Sequence, residues 1–183
     1  MKRVFVILLP ILMMACFLPV SIPQNPSTPT ESITPTTENP CAFVEGRKTL
    51  EDISKQLLNK LTGAGLPVEN ARAEAYGENC INADGSVVSF SARETDFYVT
   101  LTVADLTDET VLGNLLEQTL AVIDQFPTDQ TPGPNPGYVG ITFKAGKDVQ
   151  NLWFMQTQGN ELRKQGLKGS DLYRAVRGTL KKP

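Results

Sequence analysis

The stretch "FYVTLTV", residues 97–103, decides the fold of this chain. Phe97, Val99 and Leu101 alternate with tyrosine and threonines, which is the period-two pattern of a β-strand. Such alternation predicts a sheet with one face on a core and the other facing water or a partner. The other elements can be placed around this strand.

Two strands are predicted upstream of it, at residues 71–76 and 88–92. Turns are predicted at "NADG" (82–85) and "RETD" (93–96), because both stretches are rich in turn-forming residues. A helix is predicted over residues 50–62, where leucine and isoleucine recur on one helical stripe.

A second helix is predicted from Thr107 or Asp108 to about Phe126, and Gly113 inside it permits close packing at some cost in helix stability. The rest is predicted as a loop, a hairpin of two strands and two short helices, at residues 127–137, 138–145, 149–155, 159–165 and 170–176. The predicted order is α-β-β-β-α-β-β-α. Adjacent strands joined by short turns indicate an α+β class, with an antiparallel sheet of about five strands packed with helices.

The composition excludes several kinds of site. The 183 residues contain no histidine, which excludes Ser-His-Asp and Cys-His catalysis and removes the commonest metal ligand. Three cysteines are too few for a four-cysteine zinc site. A net charge of −3 does not suggest nucleic-acid binding, which calls for a basic face. We therefore expect a non-enzymatic protein without metal, cofactor or nucleic-acid partner.

The N-terminus has the pattern of an export signal. Two basic residues precede an apolar run from Val4 to Ala15, which is shorter than the roughly 20 residues of a membrane span. In "MMAC", residues 13–16, a small residue stands directly before Cys16. This stretch resembles the signal peptide of bacterial lipoproteins, in which that cysteine is diacylated and becomes the mature N-terminus.

The resemblance implies a signal peptide over residues 1–15, lipid attachment at Cys16 and an extracytoplasmic location on the cell membrane. A single uncleaved N-terminal transmembrane anchor is the alternative. Residues 17–40 contain six prolines and eight serines or threonines, a composition that cannot bury enough apolar surface to fold. We therefore predict a disordered tether over residues 16–40 and a single α+β domain over residues 41–183.

If Cys16 carries lipid, Cys41 and Cys80 remain, and export makes a disulfide bond between them permissible. In the loop-entropy model such a bond contributes at most about 4 kcal/mol to stability. Free thiols at both positions, or a Cys16–Cys41 bond, are the alternatives.

The candidate binding surface is aromatic and consists of Tyr98, Trp153 and Phe154. Because alternate strand positions face opposite sides, Tyr98 and one of Trp153 or Phe154 are expected to point outward. Core packing of these rings is the alternative.

Four carboxylates are the candidates for hydrolytic chemistry, because paired carboxylates hydrolyse glycosides. Glu74 and Glu78 lie on the first predicted strand, and Glu94 and Asp96 lie in the predicted turn at 93–96. Scattered solvated charge is the alternative. A concave cleft with two converging carboxylates would favour an enzyme, whereas a flat aromatic sheet face would favour binding.

The segment from Glu161 to Pro183 carries seven basic and two acidic residues, a local charge of +5. Its basic side chains are candidates for contact with an anionic surface such as lipid head groups, and six of them are singled out: Lys164, Lys168, Arg174, Arg177, Lys181 and Lys182. The sequence thus favours an extracytoplasmic, membrane-tethered lipoprotein that serves as a binding or interaction module of the cell envelope. A carboxylate-dependent envelope hydrolase and a structural lipoprotein without ligand are the alternatives.

Overall fold

The computed structural model describes residues 41–179, which form a five-stranded sheet packed with four helices. The strands are β1 (Ala42–Thr49), β2 (Val68–Ile81), β3 (Val87–Thr102), β4 (Asn135–Ala145) and β5 (Asp148–Met155). The helices are α1 (Glu51–Gly63), α2 (Glu109–Ile123), α3 (Gln156–Lys164) and α4 (Gly169–Thr179). The predicted α+β class and the five-stranded sheet packed with helices are confirmed.

The strands lie in the sheet in chain order, β1-β2-β3-β4-β5. Three of the four strand pairs are antiparallel as predicted, but β3 and β4 run parallel, so the sheet is mixed. The parallel pair follows from the connection, because α2 carries the chain back along the sheet before β4 begins.

The division of the sheet into strands differs from the prediction in two places. The stretch 93–96 is not a turn but lies inside β3, which joins the two strands predicted on either side of it. An extra residue is accommodated there as a bulge, since Tyr76 of β2 pairs with Glu94 whereas Gly77 pairs with Ala92. β1, which was not predicted, pairs with β2 along its whole length.

The core lies on one face of the sheet, between the strands and all four helices. Phe97, Val99 and Leu101 of β3 are at most 2% exposed and belong to the same apolar cluster as Leu116 and Leu120 of α2. The period-two pattern of residues 97–103 therefore places one face of β3 on the core, as predicted. The opposite face of the sheet, called the outer face below, has no helix over it within residues 41–179.

Asp108 is the N-cap of helix α2, and its carboxylate accepts hydrogen bonds from the backbone N–H groups of Thr110 and Val111 at 3.1 and 3.0 Å. At Gly113 the backbone of α4 comes into direct contact with α2. A Cβ atom at this position would lie 1.9 Å from the carbonyl oxygen of Gly169. The predicted close packing at Gly113 is confirmed.

Cys41 and Cys80 form a disulfide bond, with their Cα atoms 5.3 Å apart. The bond joins Cys41, directly before β1, to Cys80 of β2, in agreement with the predicted pairing. The signal peptide (1–15), Cys16, the tether (16–40), Lys181 and Lys182 lie outside the described residues. Among the helices within residues 41–179, none is long and apolar enough to cross a bilayer.

Candidate functional site

The outer face carries a row of stacked aromatic rings across β3, β4 and β5. The ring of Trp153 lies 5.4 Å from that of Tyr98 and 5.1 Å from that of Tyr138, with interplanar angles of 29° and 1°. Gly140 lies beneath this row, and a Cβ there would come within 3.0 Å of the Trp153 ring. The glycine thus makes the stack possible.

The three residues of the predicted aromatic surface do not all lie on the same face of the sheet. Tyr98 and Trp153 stack on the outer face, and Trp153 is 39% exposed. Phe154 is 2% exposed and packs in the core, so Trp153 is the one of the two neighbouring rings that points outward. The register explains this outcome, because Phe154 pairs with the buried Val139 and Trp153 pairs with Gly140.

Two tyrosines of the outer face are covered by guanidinium groups. Arg72 lies over the Tyr98 ring at 4.3 Å from its centroid, and Arg47 lies over the Tyr76 ring at 5.3 Å. Such cation–π contacts fix both the cation and the ring. Within the described part of the chain, no cation or further ring covers the second face of Tyr138.

Asp96 is the most buried charged group of the outer face, with a side chain that is 2% exposed. It accepts a hydrogen bond from the backbone N–H of Tyr138 at 2.8 Å, and Nη1 of Arg47 lies 3.7 Å from its Oδ2. Burial raises the pKa of Asp96, although these contacts oppose the rise. Asp96 therefore positions the start of β4, and with it the ring of Tyr138.

Arg47 connects three groups of the outer face. Its Nη1 donates to the Tyr98 hydroxyl at 2.5 Å and lies 3.5 Å from Oε2 of Glu74. Its charge is therefore offset by the carboxylates of Asp96 and Glu74.

A cleft of about 760 Å³ opens on this part of the outer face. Its lining combines carboxylates, aromatic rings, one guanidinium group and one thioether, contributed by Glu45, Glu94, Asp96, Tyr76, Tyr138, Trp153, Arg47 and Met155. The volume falls in the range of pockets that hold small ligands.

Glu94 is the half-buried carboxylate of the cleft that has no hydrogen bond or ion pair within residues 41–179. Burial raises its pKa and the neighbouring carboxylate of Asp96 raises it further, while the charges of Arg47 and Arg93 oppose the rise. Gly133 of the proline-rich loop lies against its backbone, where a Cβ would be 2.5 Å from the Glu94 nitrogen. The proline-rich loop therefore packs against the backbone of β3 at Glu94.

The four predicted carboxylates lie on two adjacent strands rather than on a strand and a turn. Tyr76 pairs with Glu94 and Glu74 pairs with Asp96, so three of these carboxylates belong to one region of the outer face. Glu78 forms an ion pair with Arg93 instead. A cleft with carboxylates, which would favour an enzyme, and an aromatic surface, which would favour binding, therefore occur at the same place.

Sequence reasoning missed Glu45 and Arg47, because β1 was not predicted. The signal that could have found them is "FVEGRKT", where charged side chains alternate at positions 45 and 47. Tyr138 was not part of the predicted aromatic surface either.

The basic C-terminal segment is partly neutralised. Arg174 pairs with Glu109 at 2.6 Å and with Asp171 at 3.3 Å, and Arg177 lies 3.8 Å from Glu109. Lys164 and Lys168 are exposed. Contact of this segment with an anionic surface remains a prediction.

No group of three or more metal-ligating side chains occurs among the described residues. Comparison of the chain with protein-family models, with curated proteins and with solved structures finds no match.

Proposed function

We propose that this chain is an extracytoplasmic lipoprotein, held at the membrane through Cys16, whose domain binds a small ligand in the outer-face cleft without transforming it. The observation that carries the binding role is the cleft itself. In the described part of the chain, it contains a ring face of Tyr138 that no cation or second ring covers, and the carboxylate of Glu94, which has no hydrogen bond or ion pair. Recognition sites combine apolar ring surface with a few placed polar groups in this way.

The proposed location is supported by the disulfide bond between Cys41 and Cys80, because such bonds persist mainly in oxidising compartments. The domain begins at the end of a 24-residue Pro/Ser/Thr-rich stretch, residues 17–40. A Pro-rich chain of that length spans about 70 Å, enough to hold the cleft away from a membrane surface.

An envelope hydrolase is the second candidate, favoured by Glu94 and Asp96 in one cleft, both with pKa values raised by burial. It has less support, because Asp96 is engaged by Tyr138 and Arg47 and its side chain is 2% exposed. Glycosidases need two carboxyl groups that both reach the scissile bond. Cleavage of a chromogenic glycoside that is lost in Glu94→Gln would favour this candidate over binding.

The anchor is tested by replacing Cys16 with serine in the full chain. We expect the variant to leave the membrane fraction or to accumulate as an unprocessed precursor, because the acyl acceptor is gone. Fractionation and intact-mass measurement give the result, with Cys16 intact and Cys41→Ser/Cys80→Ser as the control that keeps the acceptor. Mature, membrane-bound Cys16→Ser protein would refute the lipid anchor.

The binding role is tested with Trp153, the only tryptophan of the chain, which lines the cleft. The full chain in a non-ionic detergent is titrated with glucose, N-acetylglucosamine, glucosamine, lysine, choline and acetate while tryptophan emission is recorded. We expect at least one compound to give a saturable change. Tyr138→Ala should weaken that binding about fivefold, since ring contacts with a ligand are worth roughly 1 kcal/mol.

Phe43→Ala is the matched control for Tyr138→Ala, because Phe43 is an exposed ring (67%) of β1 that does not line the cleft. It should leave binding unchanged. If both variants weaken binding equally, the cleft is not the binding site. If no compound alters the emission, a structural lipoprotein without ligand becomes the better description.

A further inference from the structure

We infer that the ligand of the outer-face cleft carries an alkylammonium group, which binds between the free face of Tyr138 and the carboxylate of Glu94. This inference rests on the proposed binding function and names the chemical class of its ligand. It is carried by the arrangement of rings and charges around the cleft.

The tyrosines of the outer face show a consistent pattern. Tyr76 and Tyr98 each have a guanidinium group of the chain itself over the ring, at 5.3 and 4.3 Å. Tyr138, the third, has Trp153 on one face and, in the described part of the chain, no cation on the other. A positive group of a ligand would give Tyr138 the partner that the other two rings already have.

The charges that line the cleft favour a cation over an anion. Three carboxylates and one guanidinium group line it, and that guanidinium, Arg47, is already offset by Asp96 and Glu74. The nearby Arg93 is paired with Glu78. An entering anion would therefore meet no unpaired cation among the lining residues, whereas an entering cation meets Glu94.

Glu94 also gives a reason for a cation to bind. The half-buried carboxylate of Glu94 has no hydrogen bond or ion pair within residues 41–179, and burial disfavours its charged form. The charges of Arg47 and Arg93, which lie beyond ion-pair distance, offset only part of this rise in its pKa. Glu45 is the other carboxylate of the lining that a ligand cation could reach, but it already accepts a hydrogen bond from the Tyr76 hydroxyl. This hydrogen bond raises the pKa of Tyr76. Glu94 is therefore the carboxylate that a ligand cation would neutralise.

The walls of the cleft select an organic cation rather than a metal ion. Calcium and magnesium require about six oxygen ligands, and the described residues offer no group of three or more metal-ligating side chains. The aromatic rings and the thioether of Met155 instead offer soft, polarisable surface to alkyl groups. Recognition of alkylammonium groups combines such surface with a carboxylate.

The test compares charged probes with uncharged analogues of the same shape in the full chain. Choline is paired with its carbon isostere dimethylbutanol, and butylammonium with butanol, and emission from Trp153 reports binding. We expect at least one cation to bind ten times or more tightly than its analogue. Glu94→Gln should reduce the affinity for that cation about tenfold and leave the affinity for the alcohol unchanged.

Glu117→Gln is the matched control, because Glu117 is also half-buried but lies on α2, on the helix side of the sheet. It should leave both affinities unchanged. If neither cation binds better than its analogue, or if Glu94→Gln has no effect, the ammonium assignment is wrong. In that case, saturable binding of an uncharged or anionic compound would leave the proposed binding function standing, and no binding by any compound would remove both.

Discussion

Replacing Gly113 with alanine is expected to lower the free energy of unfolding by about 2–3 kcal/mol, the upper part of the usual range for overpacking. The added Cβ would lie 1.9 Å from the carbonyl oxygen of Gly169 and 2.1 Å from its carbon. Both are backbone atoms, so no side chain can turn away and the two helices must separate. Alanine also favours the helix by up to about 1 kcal/mol, which offsets only part of this loss.

The separation would reach beyond the substituted residue. Leu172 and Tyr173 of α4 and Leu112 and Leu116 of α2 are fully buried in the common core. Moving α4 outward loosens the packing of these side chains, and protein interiors tolerate such gaps poorly.

Urea unfolding followed by circular dichroism measures the effect, with Gly63→Ala as the control. Gly63 also lies in a helix, but a Cβ there would have no atom within 4 Å. The control should be neutral or slightly stabilised, because it gains helix propensity without a clash. An unchanged midpoint for Gly113→Ala would mean that α2 and α4 do not pack as closely as described.

The helices and the central strand were predictable because their patterns are local. Leu57 and Leu61 of α1 fall on one helical stripe, and both are fully buried. The alternation of residues 97–103 likewise placed Phe97 inside and Tyr98 outside. In each case the residues that carry the signal are near neighbours in the chain, so no knowledge of distant partners is needed.

The strands of the sheet were predicted wrongly where pairing with residues distant in the chain overrides the local composition. The residues of "RETD" favour a turn, yet they pair with β2 on one side and β4 on the other and remain extended. Gly46 weakens the strand pattern of β1, but a side chain there would clash with Asn79 of β2 at 2.2 Å. The parallel direction of β4 depends on the path of the whole connection through α2.

The candidate site was predictable only in part for the same reason. Alternation suggested Tyr98, but the run Leu152-Trp153-Phe154 is apolar throughout and gives no phase, so the outward ring could not be chosen. The pairing with β4 decides it. Arg47 donates a hydrogen bond to the hydroxyl of Tyr98, which lies 51 residues later in the chain. The local sequence around either residue gives no signal of such a distant contact.

Removing the Cys41–Cys80 bond is expected to have the largest effect, a loss of about 4 kcal/mol in the free energy of unfolding. The bond closes a segment with a sequence separation of 39 residues. In the loop-entropy model, opening a loop of that length returns about 4 kcal/mol of conformational entropy to the unfolded chain. Since domains are typically stable by 5–15 kcal/mol, this is a large share of the total.

The measurement is urea unfolding of the native chain, of the same chain with dithiothreitol, and of Cys41→Ala/Cys80→Ala. The reduced chain and the double variant should agree, and reductant should not change the double variant further. If the reduced chain and the double variant both unfold at the same urea concentration as the native chain, the bond does not restrict the unfolded chain enough to stabilise the domain.

The loss should also have a local signature, because β1 is an edge strand that pairs only with β2 within the described sheet. Without the bond, this end of the sheet is expected to open more often, and hydrogen exchange at the β1 amides should accelerate more than at β3. β1 carries Glu45 and Arg47, so each opening also removes one side of the cleft. Reduction should therefore weaken binding of any cleft ligand before the domain unfolds, whereas Gly113→Ala, which acts on the opposite side of the sheet, should lower stability without this earlier loss of affinity.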